Sequence, residues 1–280
     1  MAASLADAVA ALAERGAEGA PLAGATWIMR APLRGEAHLA YVGLSGIPAL
    51  RALSIGETEI GIGACVSHAH LARALAALPE ARALAEAAGR SANPAIREVA
   101  TVGGNLCSAA FAAADLVPAL LCLDAAVELA APGGTARLPL ADFLAQRDRL
   151  PPGTVLARAI VPRPIAPGAT GRSAHIRLPL RAAGDYPAAI VSLAVALDGD
   201  GRVATARLAV GSVEPVARRW TALEERLAGR PLDPDRAAGA AADLAGAFRP
   251  REGIEASGAY RLRVLPALVR RAVAAVQASS

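Results

Sequence analysis

The sequence contains no lysine: all 29 basic residues among its 280 are arginines. They are scattered, with no run longer than Arg218-Arg219 or Arg270-Arg271, so a net charge of +4 builds no stripe for nucleic acid. Aromatic residues make up only 3% of the chain, and alanine fills much of the 54% hydrophobic quota, which predicts helix-rich, closely packed elements. Cysteine is scarce. Cys65, Cys107 and Cys122 lack the paired spacing of a zinc site or an iron–sulfur cluster, and no metal site is expected. An odd count with no basic, apolar leader at the N-terminus predicts reduced thiols and a cytoplasmic location. The longest apolar run, Leu116 to Ala131, is interrupted by Asp124 and Glu128, which excludes it as a membrane span. Redox chemistry on such a chain would require a borrowed organic cofactor.

What is present is a chain long enough for about two domains. Ser4 and Asp7 predict a capped helix running to Arg15. Strands are predicted at 39–44, 58–64, 126–129 and 154–161. Residues 67–88 read as two short helices interrupted at Pro79, and Asp115 to Leu123 as another helix. Three prolines and two glycines within 162–172 mark a domain edge. Beyond it, strand-like runs at 173–179, 188–198 and 203–212, with an Asp198-Gly-Asp-Gly turn between the last two, precede helical patterns at 216–228, 233–248 and 258–277. This order predicts an α+β module: a three-stranded meander with a helical layer.

The segment Thr101-Val102-Gly103-Gly104-Asn105 carries the clearest chemistry. Two adjacent glycines permit positive φ angles and a close backbone approach, so successive amides there can form a nest for a phosphate. Thr101 and Asn105 add side-chain donors, and Asp115 could accept from ligand hydroxyls. An ordinary turn is the competing reading. Ala23-Gly24-Ala25-Thr26-Trp27 is a second turn carrying a hydroxyl where a second phosphate contact could sit, or a plain strand-to-helix connection. Gly61-Ile62-Gly63 lacks the third glycine of a dinucleotide fingerprint and reads as a strand at a close packing point. His68 and His70, two apart at a helix start capped by Ser67, diverge and hold no metal. Ser91 and Ser108 have no recognisable His and Asp partners for a hydrolase triad. Tyr186, after Gly184-Asp185, could cover a flat ligand or pack on the surface. Tyr260 and Arg261 read as packing and capping residues.

In order and spacing these segments resemble the FAD-binding medium subunit of the molybdenum hydroxylases, the xanthine dehydrogenase and carbon monoxide dehydrogenase family. The resemblance runs end to end. Ala23–Trp27 is similar to the family's first pyrophosphate loop. Leu44-Ser-Gly-Ile-Pro-Ala-Leu50 and Ile60-Gly-Ile-Gly-Ala64 are similar to its intervening strands. Asn93–Arg97 leading into Thr101–Asn105 is similar to its second loop, and Asp115 to its cofactor-binding aspartate. Gly184-Asp185-Tyr186 matches the start of its C-terminal domain, and Ala259-Tyr-Arg261 the lead into its final helix.

The resemblance implies an α+β fold: a two-subdomain FAD-binding domain of the PCMH, or vanillyl-alcohol-oxidase, type over 1–165. A C-terminal flavoprotein domain over 172–280 would follow, with a three-stranded antiparallel sheet and helices. It implies FAD held by Ala23, Gly24, Ala25, Thr26, Trp27, Thr101, Val102, Gly103, Gly104, Asn105, Ser108, Asp115, Leu156 and Tyr186, with amides of both loops on the pyrophosphate and Tyr186 near the isoalloxazine. It implies an oxidoreductase subunit with no catalytic acid or base of its own. Electrons would pass from a large molybdopterin subunit and a small 2Fe-2S subunit through FAD to an external acceptor. A stand-alone flavin oxidase and a flavin-free bridging subunit stay open as alternatives. Two departures stand out. Ala25 replaces a usual glycine, demanding either a negative φ or mild strain. The run Leu106 to Ala114 is a residue longer than the family pattern, lacks its usual proline, and leaves Ser108 as the main hydroxyl donor.

Overall fold

The computed structural model describes residues 1–30, 40–163, 171–180 and 186–278. Most of the Pro/Gly-rich 162–172 segment and the Gly184-Asp185 turn lie outside these residues. The chain begins with α1 (Leu5–Arg15), β1 (Gly19–Leu22), β2 (Ala40–Gly43), α2 (Pro48–Arg51), β3 (Leu53–Ile55) and β4 (Glu59–Gly63). Five short helices follow: α3 (His68–Leu75), α4 (Arg82–Arg90), α5 (Pro94–Val99), α6 (Val102–Cys107) and α7 (Leu116–Cys122). Then come β5 (Ala126–Ala131), β6 (Gly134–Pro139), α8 (Leu140–Gln146) and β7 (Val155–Pro162). The last part holds β8 (Arg172–Pro179), β9 (Pro187–Leu197), β10 (Val203–Gly211) and β11 (Arg218–Arg219). It ends with α9 (Thr221–Leu227), α10 (Pro234–Leu244), α11 (Gly258–Arg263) and α12 (Leu265–Gln277).

Two compact units result. The first comprises Met1–Leu71, Pro94–Ala109 and Ala125–Arg163; the second comprises Ala72–Asn93, Ala110–Asp124 and the described residues after Arg163. Spatial grouping thus departs from chain order, because α4 and α7 belong with the C-terminal strands.

In the first unit, the Ser4 hydroxyl accepts from the Asp7 N–H and caps α1, as its sequence predicts. Ala8, Val9 and Leu12 of α1 bury against Val42, Leu44, Leu50, Val155 and Ala157. β1 and β2 pair in parallel, and a five-stranded antiparallel sheet has the order β3-β4-β7-β5-β6. β4 carries the Gly61-Ile62-Gly63 string. A Cβ on Gly63 would overlap the Leu50 carbonyl oxygen, so the strand with a close packing point is the reading the structure bears out.

In the second unit, β8, β9 and β10 form the three long antiparallel strands expected, and the two-residue β11 extends the edge at β10. The Asp198 carboxylate accepts from the Asp200 and Arg202 N–H groups, and Gly201 takes φ 73°, closing the β9–β10 hairpin. α12 buries Leu265, Leu268, Val269, Ala272, Val273 and Val276, a stripe at helical spacing that packs with Leu193, Val195, Leu208, Val210 and Trp220. The helical pattern expected from 216 begins only at Thr221, because Arg218 and Arg219 are drawn into the edge strand.

Candidate functional site

The first unit contains a cavity of about 820 Å³ whose wall includes Ala23, Gly24, Ser45, Arg51, Cys65, Ser67, His70, Glu98, Val99 and Thr101. Local chemistry explains why these residues meet. After β1 the chain crosses α5 so closely that a Cβ on Gly24 would overlap the Val99 carbonyl oxygen and stand 2.8 Å from its carbon. The next residue, Ala25, sits at φ 62°, in the left-handed region that disfavours any Cβ. The strain allowed for Ala25 on the sequence is therefore what the structure has, and the negative φ is not. Across the cavity, Ser67 and Thr101 form an antiparallel bridge, supported by His68 N–H to Ala100 O (2.9 Å) and Val102 N–H to Val66 O (3.0 Å). Each is also a helix cap: Ser67 Oγ accepts from the His70 N–H of α3, and Thr101 Oγ1 from the Gly104 N–H of α6. Two helix starts thus sit side by side on the cavity wall, each the positive end of a helix dipole, with the Arg51 cation on the same wall.

The Gly-Gly segment differs from its sequence expectation. Residues 102–107 are a helix, and neither Gly103 nor Gly104 has a positive φ. Their N–H groups are not open to a phosphate nest. Val102 N–H is held by Val66 O, Gly103 N–H by Ala64 O at 2.7 Å, Gly104 N–H by Thr101 Oγ1, and Asn105 N–H by Thr101 O. Gly103 is needed for a different reason: a Cβ there would stand 2.8 Å from Ala64 Cβ and 2.9 Å from Ala64 O. The open donors are in the other loop, where the N–H groups of Gly24, Ala25 and Thr26 have no partner among the described residues.

The expected site residues therefore divide. Ala23, Gly24 and Thr101 line the cavity, and Ala25 and Thr26 continue the same turn into a half-buried Trp27. Val102 and Gly103 are buried in the helix, Gly104 is exposed, and Asn105 is half-buried. Ser108 donates back to Gly104 O at 2.7 Å, so its hydroxyl proton is already used. Leu156 is buried in β7.

Asp115 and Tyr186 belong to the second unit. Asp115 caps no helix N–H; it is buried, and its Oδ1 accepts from Arg177 Nε (2.9 Å) and lies 3.3 Å from His175 Nε2. The other ring nitrogen, His175 Nδ1, is 2.8 Å from Ser192 Oγ. Ser192, His175 and Asp115 are a set that the sequence reading missed. They are no nucleophile, because Ser192 and His175 are fully buried and Asp115 is shared with Arg177. A visible signal existed: Ser173, His175 and Arg177 alternate along β8, so a strand there places three polar side chains on one face. Phe111, also missed, meets the Tyr186 ring edge-on at 5.0 Å. Arg261 proves not to be a capping residue: it is fully buried and donates to Ala188 O and Ser212 O.

Cys65 and His70 both line the cavity, the residue types a covalent flavin link would use. Burial pushes the Cys65 thiol up to about 11, with Arg51 opposing only in part, so at neutral pH it is a protonated thiol and a poor nucleophile. His70 is exposed and His68 buried, so the pair diverges as expected. Among the described residues no group of metal-ligating side chains exists and no helix is long and apolar enough to cross a membrane.

Ala25→Gly is expected to relieve the left-handed strain without touching the open donors. Set against the extra freedom of glycine in the unfolded chain, the net gain is roughly 0.5–1 kcal/mol. The melting temperature should rise by about 1–3 °C with flavin retention unchanged, as measured by differential scanning fluorimetry.

An α+β fold with a cavity lined by Gly24, two helix starts and an arginine has the chemistry that a phosphate-bearing cofactor needs. Residues 1–164 match the family model described as the FAD binding domain in molybdopterin dehydrogenase, and residues 175–276 match the CO dehydrogenase flavoprotein C-terminal domain. The chain is 30% identical over 236 residues to the 6-hydroxypseudooxynicotine dehydrogenase complex subunit alpha of Paenarthrobacter nicotinovorans, covering 83% of this chain and 78% of that protein. It is 26% identical over 286 residues to the putative xanthine dehydrogenase FAD-binding subunit of Escherichia coli (strain K12), covering 100% and 95%. The structure of a Cu,Mo-CO dehydrogenase in its cyanide-inactivated form matches with a TM-score of 0.86 and 27% identity, over 100% of this chain and 96% of that one. The chain belongs to the FAD-binding medium subunits of the molybdenum hydroxylases: it is an oxidoreductase subunit whose cofactor is FAD.

Proposed function

We propose that this chain is the electron-transfer subunit of a multi-subunit molybdenum hydroxylase, working with a large molybdopterin subunit and a small 2Fe-2S subunit. Electrons released by substrate hydroxylation on the large subunit would leave through this chain to an external acceptor. The observation that carries the reading is the cavity of the first unit, whose wall includes Gly24, with the open donors of Ala25 and Thr26 next in the chain, and the helix caps Ser67 and Thr101. In that setting the residues fit a dinucleotide. A pyrophosphate carries two negative charges; the wall offers one full cation on Arg51 and about half a charge at each of two helix starts, against one carboxylate on Glu98, so backbone donors must carry much of the binding.

The redox chemistry belongs to the flavin; the chain's part is to place it, exclude water and control access. Gly24, Ala25 and Thr26 would donate to the pyrophosphate, with Ala23, Trp27, Thr101 and Asn105 completing the wall. Val102 and Gly103 would act through packing, holding α6 against β4 so that Thr101 faces the cavity. Residues 1–165 would make up the FAD-binding domain, with Ser108 and Leu156 near its cofactor. Residues 172–280 would make up the flavoprotein domain, in which Tyr186 sits beside the isoalloxazine. Asp115 would order the start of α7 through Arg177 and His175, and meet the cofactor's hydroxyls only from that fixed position. The protonated Cys65 favours non-covalent flavin over the linked flavin of a stand-alone oxidase. Three unpaired cysteines fit a cytoplasmic enzyme.

Isolation of the complex from its native cells tests this reading. Molybdenum, iron and flavin should co-elute with the chain, and substrate should bleach the flavin absorbance. A chain that elutes alone with flavin, or with partners but without it, would instead support one of the two alternatives.

A further inference from the structure

In the second unit, Ser212 gathers an unusual set of bonds. It follows β10 at φ 64°, a left-handed conformation for a residue with a Cβ, and it is fully buried. Its N–H donates to Ala112 O at 3.2 Å, and its hydroxyl donates to Pro187 O at 2.5 Å. Its carbonyl oxygen accepts from Arg251 Nε at 2.9 Å and Arg261 Nη1 at 3.2 Å. Arg261 Nη1 also donates to Ala188 O at 2.6 Å.

Each anchored carbonyl sits beside an aromatic residue or one step further on. Ala112 follows Phe111, and Pro187 and Ala188 follow Tyr186. The Phe111 and Tyr186 rings meet edge-on, 5.0 Å apart at 66°. Both backbones that carry this pair are therefore tied to one strained serine, and the serine is tied to two arginines: Arg251, which also donates from Nη2 to its hydroxyl at 3.1 Å, and the fully buried Arg261, which also holds Ala188 O. Arg261 is held at real cost. It is fully buried, its Nε and Nη2 have no hydrogen-bond partner, and its nearest carboxylate is Glu255 at 3.6 Å. An apolar side chain of similar length would fill the space without that desolvation penalty. Backbone strain and buried charge concentrated at one point are what a structurally enforced geometry requires.

We propose that Arg261 is a positioning residue: through Ser212 it fixes the orientation of the Tyr186–Phe111 pair, and thereby how closely the tyrosine covers the flavin. The proposal rests on the reading that places Tyr186 beside the isoalloxazine. Arg261 touches no reacting atom; its effect is exerted through two carbonyl anchors.

The test uses the assembled holoenzyme with Arg261→Met, Arg261→Lys, Ser212→Ala, Tyr186→Leu and the Arg261→Met/Tyr186→Leu double variant. The rate of flavin reoxidation by oxygen and the flavin midpoint potential are measured in each. Arg261→Met is expected to change the reoxidation rate at least threefold, in the same direction as Tyr186→Leu. The double variant should add little to either single change. Arg261→Lys should recover part of the effect, and Ser212→Ala, which loses the hydroxyl's bonds to Pro187 O and from Arg251 Nη2 but keeps the carbonyl anchor, should show a smaller change of the same sign. If Arg261→Met fails to fold, Ser212→Ala and Arg261→Lys carry the same prediction. Wild-type rate and potential in the Arg261 and Ser212 variants, with Tyr186→Leu altered, would overturn the positioning role and leave the tyrosine's placement standing. Wild-type behaviour in all of them would overturn both.

Discussion

Gly24→Ala is expected to weaken flavin binding at least tenfold while a control, Gly133→Ala, changes nothing. The methyl added at this position would overlap the Val99 carbonyl oxygen, with the Val99 carbonyl carbon at 2.8 Å and Ala100 Cα at 3.3 Å. All three are backbone atoms. They cannot swing aside, because Ala100 N–H is bonded to Ile96 O and Ala100 O to the His68 N–H. The first loop must therefore lift away from α5, carrying Gly24 out of the cavity wall and the open donors of residues 25 and 26 with it. Overpacking against backbone costs about 1–3 kcal/mol or more, and each 1.4 kcal/mol lost from binding is a tenfold weaker complex. FAD affinity should fall by at least tenfold, measured by quenching of flavin fluorescence on reconstitution. At Gly133 a Cβ would meet nothing within 4 Å, which makes it the matched control. Retention of normal FAD affinity by Gly24→Ala would remove the first loop from the site.

The second large effect is expected at Asp115. Asp115→Ala removes the acceptor of the Arg177 Nε bond and the His175 Nε2 contact at once, in a region where the aspartate and histidine side chains are 3% and 0% exposed. Breaking a buried ion pair by deleting one partner costs about 3 kcal/mol or more. The expected result is a chain that unfolds at markedly lower denaturant, before any question of cofactor. If Asp115 served only to accept a ligand hydroxyl, stability without FAD would be unchanged and only the FAD dissociation constant would rise. Urea unfolding of the flavin-free chain separates these outcomes.

Asp115 also shows where sequence reading stops. Its type and position were legible, but its partners lie 60 and 62 residues away on β8, and no local periodicity reports such a pairing. The same strand offered a partial signal, three polar residues at alternating positions, and the register of His175 opposite Ser192 completes it. Local features were readable in full. The Ser4 cap, the Asp198 hairpin and the three long C-terminal strands all follow from residue chemistry within a few positions. α6 was not, because two glycines in six residues argue against a helix by propensity. The helix forms because Gly103 can lie against Ala64 and Thr101 caps the first turn. The close approach at Gly103 is to the protein's own Ala64, while a Cβ on Gly104 would meet only Thr101 Oγ1. Short elements such as β3, β6 and α8 passed unread for the same reason: sheet neighbours make them, and local propensity does not.

The central claim is that the cavity of the first unit holds FAD by its pyrophosphate, with the first loop supplying the open donors. Titrating the flavin-free chain with FAD and, separately, with riboflavin tests it most directly, because riboflavin has the same ring and no phosphate. Tight, saturable FAD binding is expected, with at least a hundredfold weaker riboflavin binding and loss of that difference in Gly24→Ala. Equal affinity for the two ligands would contradict it.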